Sequence, residues 1–562
     1  MTGEADLLIV GGRVFRAFGP REAVPFGSDL GPRPNDAPDS VAIVDGRIAW
    51  VGIGADGLRD HRGPRSQVVD ARGGLIAAGF DDAHIHVVGG ARELGDVDLF
   101  RLTTVDAILD AIARHASTNP GEAWVKGHGW MYVPFPGGLP TRLQLDAVVP
   151  DRPAFMDCYD GHTGWANSLA LRLAGIDRQT ADPPDGVIVR DPDTGEATGA
   201  LKEGARSLVA RLIPTPSEAD TLAAMRAAIT AMHAAGITAI QDAEVEPEEV
   251  GLWRTLRDGG GLRLRTRLAL PMRPTGSLAD WGRTLDGYET LVADLRGGEW
   301  LDVGILKAFA DGVIEARTAA MLAPYEDDTS AGRPEWAQDQ LDAFASEADR
   351  RGWQLEIHAI GDHGVRMALD AYERAGATNP ARDRHHRVEH IESIDAADIP
   401  RFAGLGVVAS MQPYHADPSR NQIDVWAGNI GPERASRAWA WASIRHAGGI
   451  VALGSDWPVV PFDPLIALNS AVNRQTIDGQ PPGGWLPSER LSLPEALAAY
   501  GHGSAYAAHA DDRRGTLRPG ALADVVVLDR DILDHGPSAI IGTTVALTVV
   551  GGGIVHRSEE LS

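Results

Sequence analysis

Apolar and polar positions follow two different rhythms along this chain. Near both ends, short Val- and Ile-rich runs with period-2 alternation are divided by Gly-containing turns. They are "DLLIVGGRVF" from Asp6, "SVAIVDGRIAWVG" from Ser40, "SQVVDARGGLIAAGF" from Ser66, "GTLRPGALADVVVLDRDI" from Gly515 and "VALTVVGGGIVHR" from Val545. Ends of matching style predict one small β-sandwich domain built from residues 1–72 and 510–562. Asp45-Gly46 suits a tight hairpin turn, because both turn positions need a positive φ. Residues 19–39, rich in Pro, Gly and Asp, predict a loop.

The middle of the chain changes texture. Continuous apolar runs of strand length take turns with amphipathic stretches of helical period. The strand candidates are "LIAAGFDDAHIH", "GITAIQDA", "LRTRLAL", "DVGILKAFADG", "WQLEIHAIGD", "HRVEHIES", "GVVASMQP" and "IVALGSDWPV". Helix candidates include 218–235, 337–351, 363–375, 396–405 and 492–508. Eight strands alternating with helices predict an α/β fold, a (β/α)8 TIM-type barrel over residues 73–509. About 140 residues separate the first strand from the second, far more than one crossover needs. That gap predicts an inserted α/β subdomain, residues 95–215, covering the barrel mouth.

Composition narrows the setting. The 562 residues carry a net charge of −26, with 44% apolar and 23% charged residues, as in a water-soluble globular protein. So acidic a surface repels nucleic acid and anionic membrane. Cys158 is the one cysteine, so no intrachain disulfide is possible. No run approaches the ~20 apolar residues of a membrane span. The N-terminus lacks the basic start and long apolar core of a signal peptide. The expectation is a cytoplasmic protein.

The chemistry gathers at strand ends. His84 and His86 stand at i and i+2 on the first strand, so both imidazoles face one point. Lys307 lies on the fourth strand, His358 on the fifth, His390 on the sixth and Asp456 at the end of the eighth. All sit toward the C-terminal ends, the catalytic face of such a barrel. Neutral imidazoles suit zinc or a similar divalent ion, manganese included.

On these residues the chain resembles the amidohydrolase superfamily, and more narrowly amidohydrolase family 3, the YtcJ-like group. The matching stretches are "AAGFDDAHIH", "KGHGW", "DGHTGWANSLAL", "KAFADGVIEARTAAM", "EIHAIGD", "RVEHIE", "ALGSDWPVVPFDP" and "GTLRPGALADVVVLD". The resemblance covers nearly the whole chain. It implies a barrel flanked by a β-sandwich, with His84, His86, Lys307, His358, His390 and Asp456 around one or two ions. A protonated Lys307 cannot bind a metal. The resemblance implies that its amine takes up carbon dioxide, the carbamate then bridging two ions. An unmodified lysine, pairing with Asp311 or with substrate, goes with one ion. A metal lowers the pKa of its bound water from 15.7 to about 7. Asp456 beside that water is placed to shuttle its proton to the leaving nitrogen.

Other residues are candidates for substrate contacts or support. Asp82 precedes the HxH pair and is placed to orient a ligand. His128 and His162, in the insertion, are candidates to hold a carbonyl oxygen or are structural. Glu203, Asp311 and Arg317 sit in family-like motifs. Trp130, Tyr132, Phe135, Trp165 and Trp457 are candidates for an aromatic lining if the insertion covers the mouth, with plain core the commoner role of aromatics. Arg420, Arg434 and Arg437 are candidates for an acidic group on substrate, with surface pairing the alternative.

The leading expectation is a metal-dependent hydrolase of a non-peptide C–N bond, a linear amide or N-formyl group. The formamide reading rests on resemblance to N-substituted formamide deformylase within the family. The same centre can serve an esterase, carbamate or lactone hydrolase. A non-catalytic barrel scaffold is the reading from another class, and the intact ligand set weighs against it. The expected partner is a small amide-type substrate; a homodimer is the expectation from similar proteins.

Overall fold

The computed structural model describes residues 4–17 and 37–561, apart from residues 160 and 185. Most of the predicted 19–39 loop therefore lies outside the described residues. Chain contacts divide the protein into two units: Met1–Val88, Arg226–Trp457 and Pro461–Ser562 form the first, and Gly89–Met225 with Pro458–Val460 the second.

The first unit holds eight parallel strands that neighbour one another in chain order. They are Phe80–Ile85, Ile237–Asp242, Arg265–Pro271, Leu301–Phe309, Gln354–Ala359, Arg387–His390, Val408–Met411 and Ile450–Leu453. Each falls, to within one residue at either end, inside an apolar run that predicts it. Strands buried on both faces read as continuous apolar stretches, and seven of these eight are buried at every position. The ring closes just beyond the eighth strand. There the Asp456 N–H donates to His84 O at 2.6 Å, and the His86 N–H donates to Trp457 O at 2.8 Å. Asp82 ties the same seam, its Oδ1 accepting from the N–H of His84 (3.2 Å) and of Ser455 (2.9 Å). Helices Glu218–Ala234, Gln338–Arg350, Asp362–Thr378 and Ile399–Leu405 occupy predicted stretches. The predicted 492–508 helix is Leu493–Ala498 and Ser504–Ala507 joined by a π-helical turn, Ala499–Gly503.

The N-terminal end supplies one further sheet alone and shares a second with the C-terminal end. Leu7–Val10, Ser40–Val44, Arg47–Gly52 and Gln67–Asp70 make one; Arg13–Val14, Leu75–Ala78, Val525–Leu528, Val545–Val550 and Gly553–Arg557 make the other. One apolar cluster draws on both, with Ile9, Val41, Ile43 and Val69 beside Ile76, Val525, Val527 and Leu547. The hairpin turn forms as predicted, with Asp45 at φ 48° and Gly46 at φ 72°. One expectation needs correction. "LIAAGFDDAHIH" is not one strand. Leu75–Ala78 pairs with Val525–Leu528 in a terminal sheet, and the barrel begins only at Phe80. The terminal segment thus runs past residue 72 to Ala78. A buried ion pair fastens barrel to terminal sheet: Arg265 Nε and Nη2 meet Asp524 at 2.5 and 3.0 Å, at 1% and 5% exposure.

The second unit contains a mixed six-stranded sheet, in the order Gly186–Arg190, Ala197–Glu203, Thr163–Ala166, Ala154–Cys158, Val125–Trp130, Val97–Asp98. Its core includes Ile108, Ile112, Leu145, Met156, Trp130, Phe135 and Trp165.

Candidate metal centre

Every predicted ligand belongs to the first unit, and the strand ends bring them together. His84 and His86 direct their Nε2 atoms to the same carboxylate oxygen, Asp456 Oδ1, at 3.4 and 3.1 Å. These three donor atoms lie within 4.8 Å of one another. Lys307 Nζ is 3.4 Å from His84 Nε2 and 4.7 Å from the centre of the Phe309 ring. The His390 ring centre lies 4.9 Å from that of His84 and 4.5 Å from that of His358. His390 Nδ1 is 3.9 Å from Asp456 Oδ2.

Backbone geometry helps aim two of them. Asp456 at φ 66° and His390 at φ 71° occupy the left-handed region that few non-glycine residues adopt. Both turn sharply out of their strands, and Asp and His are among the side chains that tolerate it. Strained positions of this kind concentrate at functional sites.

Two functional residues escaped the sequence reading. Glu389, wholly buried, accepts a hydrogen bond from His84 Nδ1 at 2.7 Å. A carboxylate can only accept, so the proton sits on Nδ1 and the Nε2 lone pair faces Asp456 and His86. His415, from the segment after the seventh strand, donates Nε2–H to Asp456 Oδ2 at 3.1 Å. Glu389 was visible inside the "RVEHIE" motif. His415 had no signal beyond being a histidine in a Pro-rich loop.

Electrostatics favour ligation. Burial pushes the imidazolium forms of His86 and His390 down, and burial with nearby Lys307 pushes His358 down to about 3. These rings are neutral and offer lone pairs. Burial alone would raise the Asp456 carboxyl, but the hydrogen bond from His415 and the close His84 and His86 rings hold it well below the usual range. It is a carboxylate. Burial also drives the Lys307 ammonium down, toward the free amine. Neutral imidazoles converging with one carboxylate form the donor set that a divalent transition ion takes, so the residues fit a metal.

The remaining candidates lie elsewhere or act differently. Asp82 holds backbone rather than a ligand ring. Asp311 does likewise, its oxygens accepting from the N–H groups of Ile360 (3.0 Å), Gly361 (2.8 Å) and Ala320 (2.8 Å). Burial raises both carboxyls to about 7. Arg317 donates to Asn429 Oδ1 at 3.1 and 3.0 Å, pinning its loop to the helix Ala427–Ala435. Trp457 is buried against Phe462. Arg420 pairs with Asp424 on the surface, Arg434 caps the carbonyls of Ile430, Ala323 and Pro324, and Arg437 reaches Ile394 O.

In the second unit, His162 Nδ1 meets Glu203 Oε2 at 2.8 Å, and Glu203 sits at φ 50°. Tyr132 shares a hydrogen bond with Thr163, and the carbonyl of His128 accepts from the Leu99 N–H. Trp130 corrects an expectation. At 0% exposure, with its indole N–H on Met156 O and Phe135 and Trp165 packed edge-on, it is core rather than lining.

The barrel, its closing seam and the histidine–aspartate cluster define a metal-binding hydrolase. The sequence model of the Amidohydrolase family matches residues 67–556, and this chain belongs to that family. It is thus a hydrolase of the class acting on carbon–nitrogen bonds. Protein LONG AFTER FAR-RED 3 of Arabidopsis thaliana is 32% identical over 98% of this chain and 91% of its own length. The protein YtcJ of Bacillus subtilis (strain 168) is 30% identical over 93% and 97%. The N-substituted formamide deformylase of Arthrobacter pascens is 29% identical over 92% and 95%. A metal-dependent hydrolase from Pyrococcus furiosus shares the fold, with a TM-score of 0.69 at 24% identity, covering 94% of this chain and 99% of that one. Among the described residues no helix is long and apolar enough to cross a membrane.

Proposed function

We propose that this protein hydrolyses a linear amide or N-formyl bond on a small molecule, with Asp456 as the proton carrier. The observation that carries the reading is the setting of Asp456. One carboxylate oxygen faces His84 and His86, and the other is held by His415. His84, His86, Lys307, His358, His390 and Asp456 would hold the ion or ions. A divalent ion there, zinc or manganese, supplies Lewis acidity, making a water acidic near neutral pH and polarising a carbonyl.

Asp456 does the proton work. Its ionised carboxylate takes a proton from the attacking water and delivers it to the departing nitrogen. The His415 hydrogen bond fixes the carboxylate rotamer, so the transferring oxygen is aimed before substrate arrives. Lys307, buried and inclined to its neutral form, is nucleophilic enough to add to carbon dioxide, forming a carbamate with release of one proton. That anion would join two ions. The two terminal sheets are read as a β-sandwich beside the barrel. The similarity to N-substituted formamide deformylase favours formamides among the candidate substrates.

The test joins elemental mass spectrometry on protein purified without chelators to an intact native mass. N-substituted formamides, linear amides and esters are then compared as substrates. About two ions per chain, one carbon dioxide adduct and turnover of formamides are expected. Absence of bound ion, with no turnover after zinc or manganese is added, would overturn the reading. Faster cleavage of esters than of amides would overturn its choice of bond.

A further inference from the structure

Inside the barrel, below the metal cluster, lies a set of charged side chains that the proposed mechanism does not use. Arg387 on the sixth strand, Glu356 on the fifth and Glu389 on the sixth are all at 0% exposure. Arg387 forms an ion pair with Glu356 through Nη2. Its Nε lies 3.1 Å from Glu389 Oε1. Glu389 uses its other oxygen, Oε2, to accept from His84 Nδ1 at 2.7 Å. Arg387 Nη1 donates in turn to the carbonyl of Ala83, the residue before His84, at 3.0 Å, and to Gln241 Oε1 at 2.6 Å.

One guanidinium therefore reaches the same imidazole by two routes. Through Glu389 it sets the ring's tautomer and tilt. Through Ala83 it sets the backbone from which the ring departs.

We propose that Arg387 is a positioning residue for the ion at this site, holding His84 in place through Glu389 and through the Ala83 carbonyl. A purely structural purpose does not explain the group. Buried ion pairs replaced by apolar side chains of similar volume are often neutral in stability or better. Three buried charges pointing in sequence at a ligand make sense if the ligand is what they serve. Outer partners of ligating histidines typically govern metal affinity by ~10–100-fold. Glu356 balances the second half of the guanidinium, so that Arg387 is not pulled off Glu389.

The inference rests on the metal-binding part of the proposed function and not on the choice of substrate. Its test is binding of Co²⁺ and Zn²⁺ to the full-length protein, by competition with a chromophoric chelator, together with the visible spectrum of the Co²⁺ form. Arg387→Met alone strands two buried carboxylates and endangers the fold. The double variant Arg387→Met/Glu356→Gln removes that imbalance, and Arg387→Lys keeps a charge but cannot reach both Glu389 and Ala83 O. Expected are a ~10–100-fold loss of Co²⁺ and Zn²⁺ affinity and an altered Co²⁺ spectrum in the double variant. A smaller loss is expected in Arg387→Lys, with melting temperatures near wild type in both. A folded double variant that binds Co²⁺ with wild-type affinity and spectrum overturns the positioning role while leaving the hydrolase intact. Wild-type protein that binds neither ion overturns this inference and the proposed function together.

Discussion

Asp456→Asn tests proton transfer with the smallest change to the other contacts of this residue. The amide is nearly isosteric with the carboxylate, and asparagine is at home at φ 66°, where most residues would be strained. Its oxygen can still face His84 and His86, or His415, but not both sets. One charge-assisted hydrogen bond is lost, about 1.5–3 kcal/mol of folding stability at most. The ion keeps its histidine ligands. What disappears is the basic oxygen. General acid–base catalysis contributes 10²–10⁴-fold, which at 1.36 kcal/mol per decade is about 3–5 kcal/mol of barrier. The assay is kcat on a formamide at saturating substrate, with ion content measured on the same preparation. Expected is a loss of two to four decades in kcat with ion retained. Near wild-type kcat in ion-loaded Asp456→Asn would refute the proton-carrier role.

Other perturbations read other parts of the structure. Lys307→Ala should lower bound metal from about two ions per chain to one or fewer, with partial recovery of activity by added short carboxylic acids; unchanged ion content would exclude a bridging carbamate. Asp524→Ala strands the buried Arg265 guanidinium, leaving it Glu299 at 3.2 Å, and should destabilise the protein by about 3–5 kcal/mol in thermal or urea unfolding. His509 stacks on His385 at 4.0 Å, and burial with nearby Arg267 pushes it down to about 3. The unfolded chain takes up that proton near pH 6.5, so this histidine's contribution to stability is present above about 6.5 and is lost as pH falls toward 3. In His509→Phe the decline of melting temperature across that window should be shallower; an identical slope would show that other groups govern it.

The barrel was legible because its strands are buried on both faces and flanked by helices. Such strands announce themselves as apolar runs whatever their neighbours. The junction at Gly79 was not, because "LIAAGF" keeps the same apolar texture while it changes sheets. Only the pairing of Leu75–Ala78 with residues near the other end of the chain reveals the break. The same holds for the site. His84, His86, His358 and His390 stand out by residue type at strand ends. Glu389 and Arg387 do not, since their meaning lies in contacts with residues some 300 positions away. His415 comes from a segment where no periodicity guides the eye. Trp130 was misplaced because an aromatic in a motif reads the same in a core as in a pocket.

The split terminal sheet also sets a timetable for synthesis. Leu75–Ala78 leaves the ribosome about 450 residues ahead of its partner Val525–Leu528, roughly 20–90 s at ordinary elongation rates. Throughout that interval its edge has unpaired N–H and C=O groups and an apolar face without cover, the features that invite strand addition from other chains. The barrel can assemble meanwhile, but the seat for Asp524 against Arg265 stays empty until the end of the chain arrives. Folding of this enzyme is therefore expected to include a late step in which Val525–Leu528 fills a place beside strands made far earlier. Shielding the Leu75–Ala78 edge during those seconds is expected to raise the yield of native protein without touching a catalytic residue.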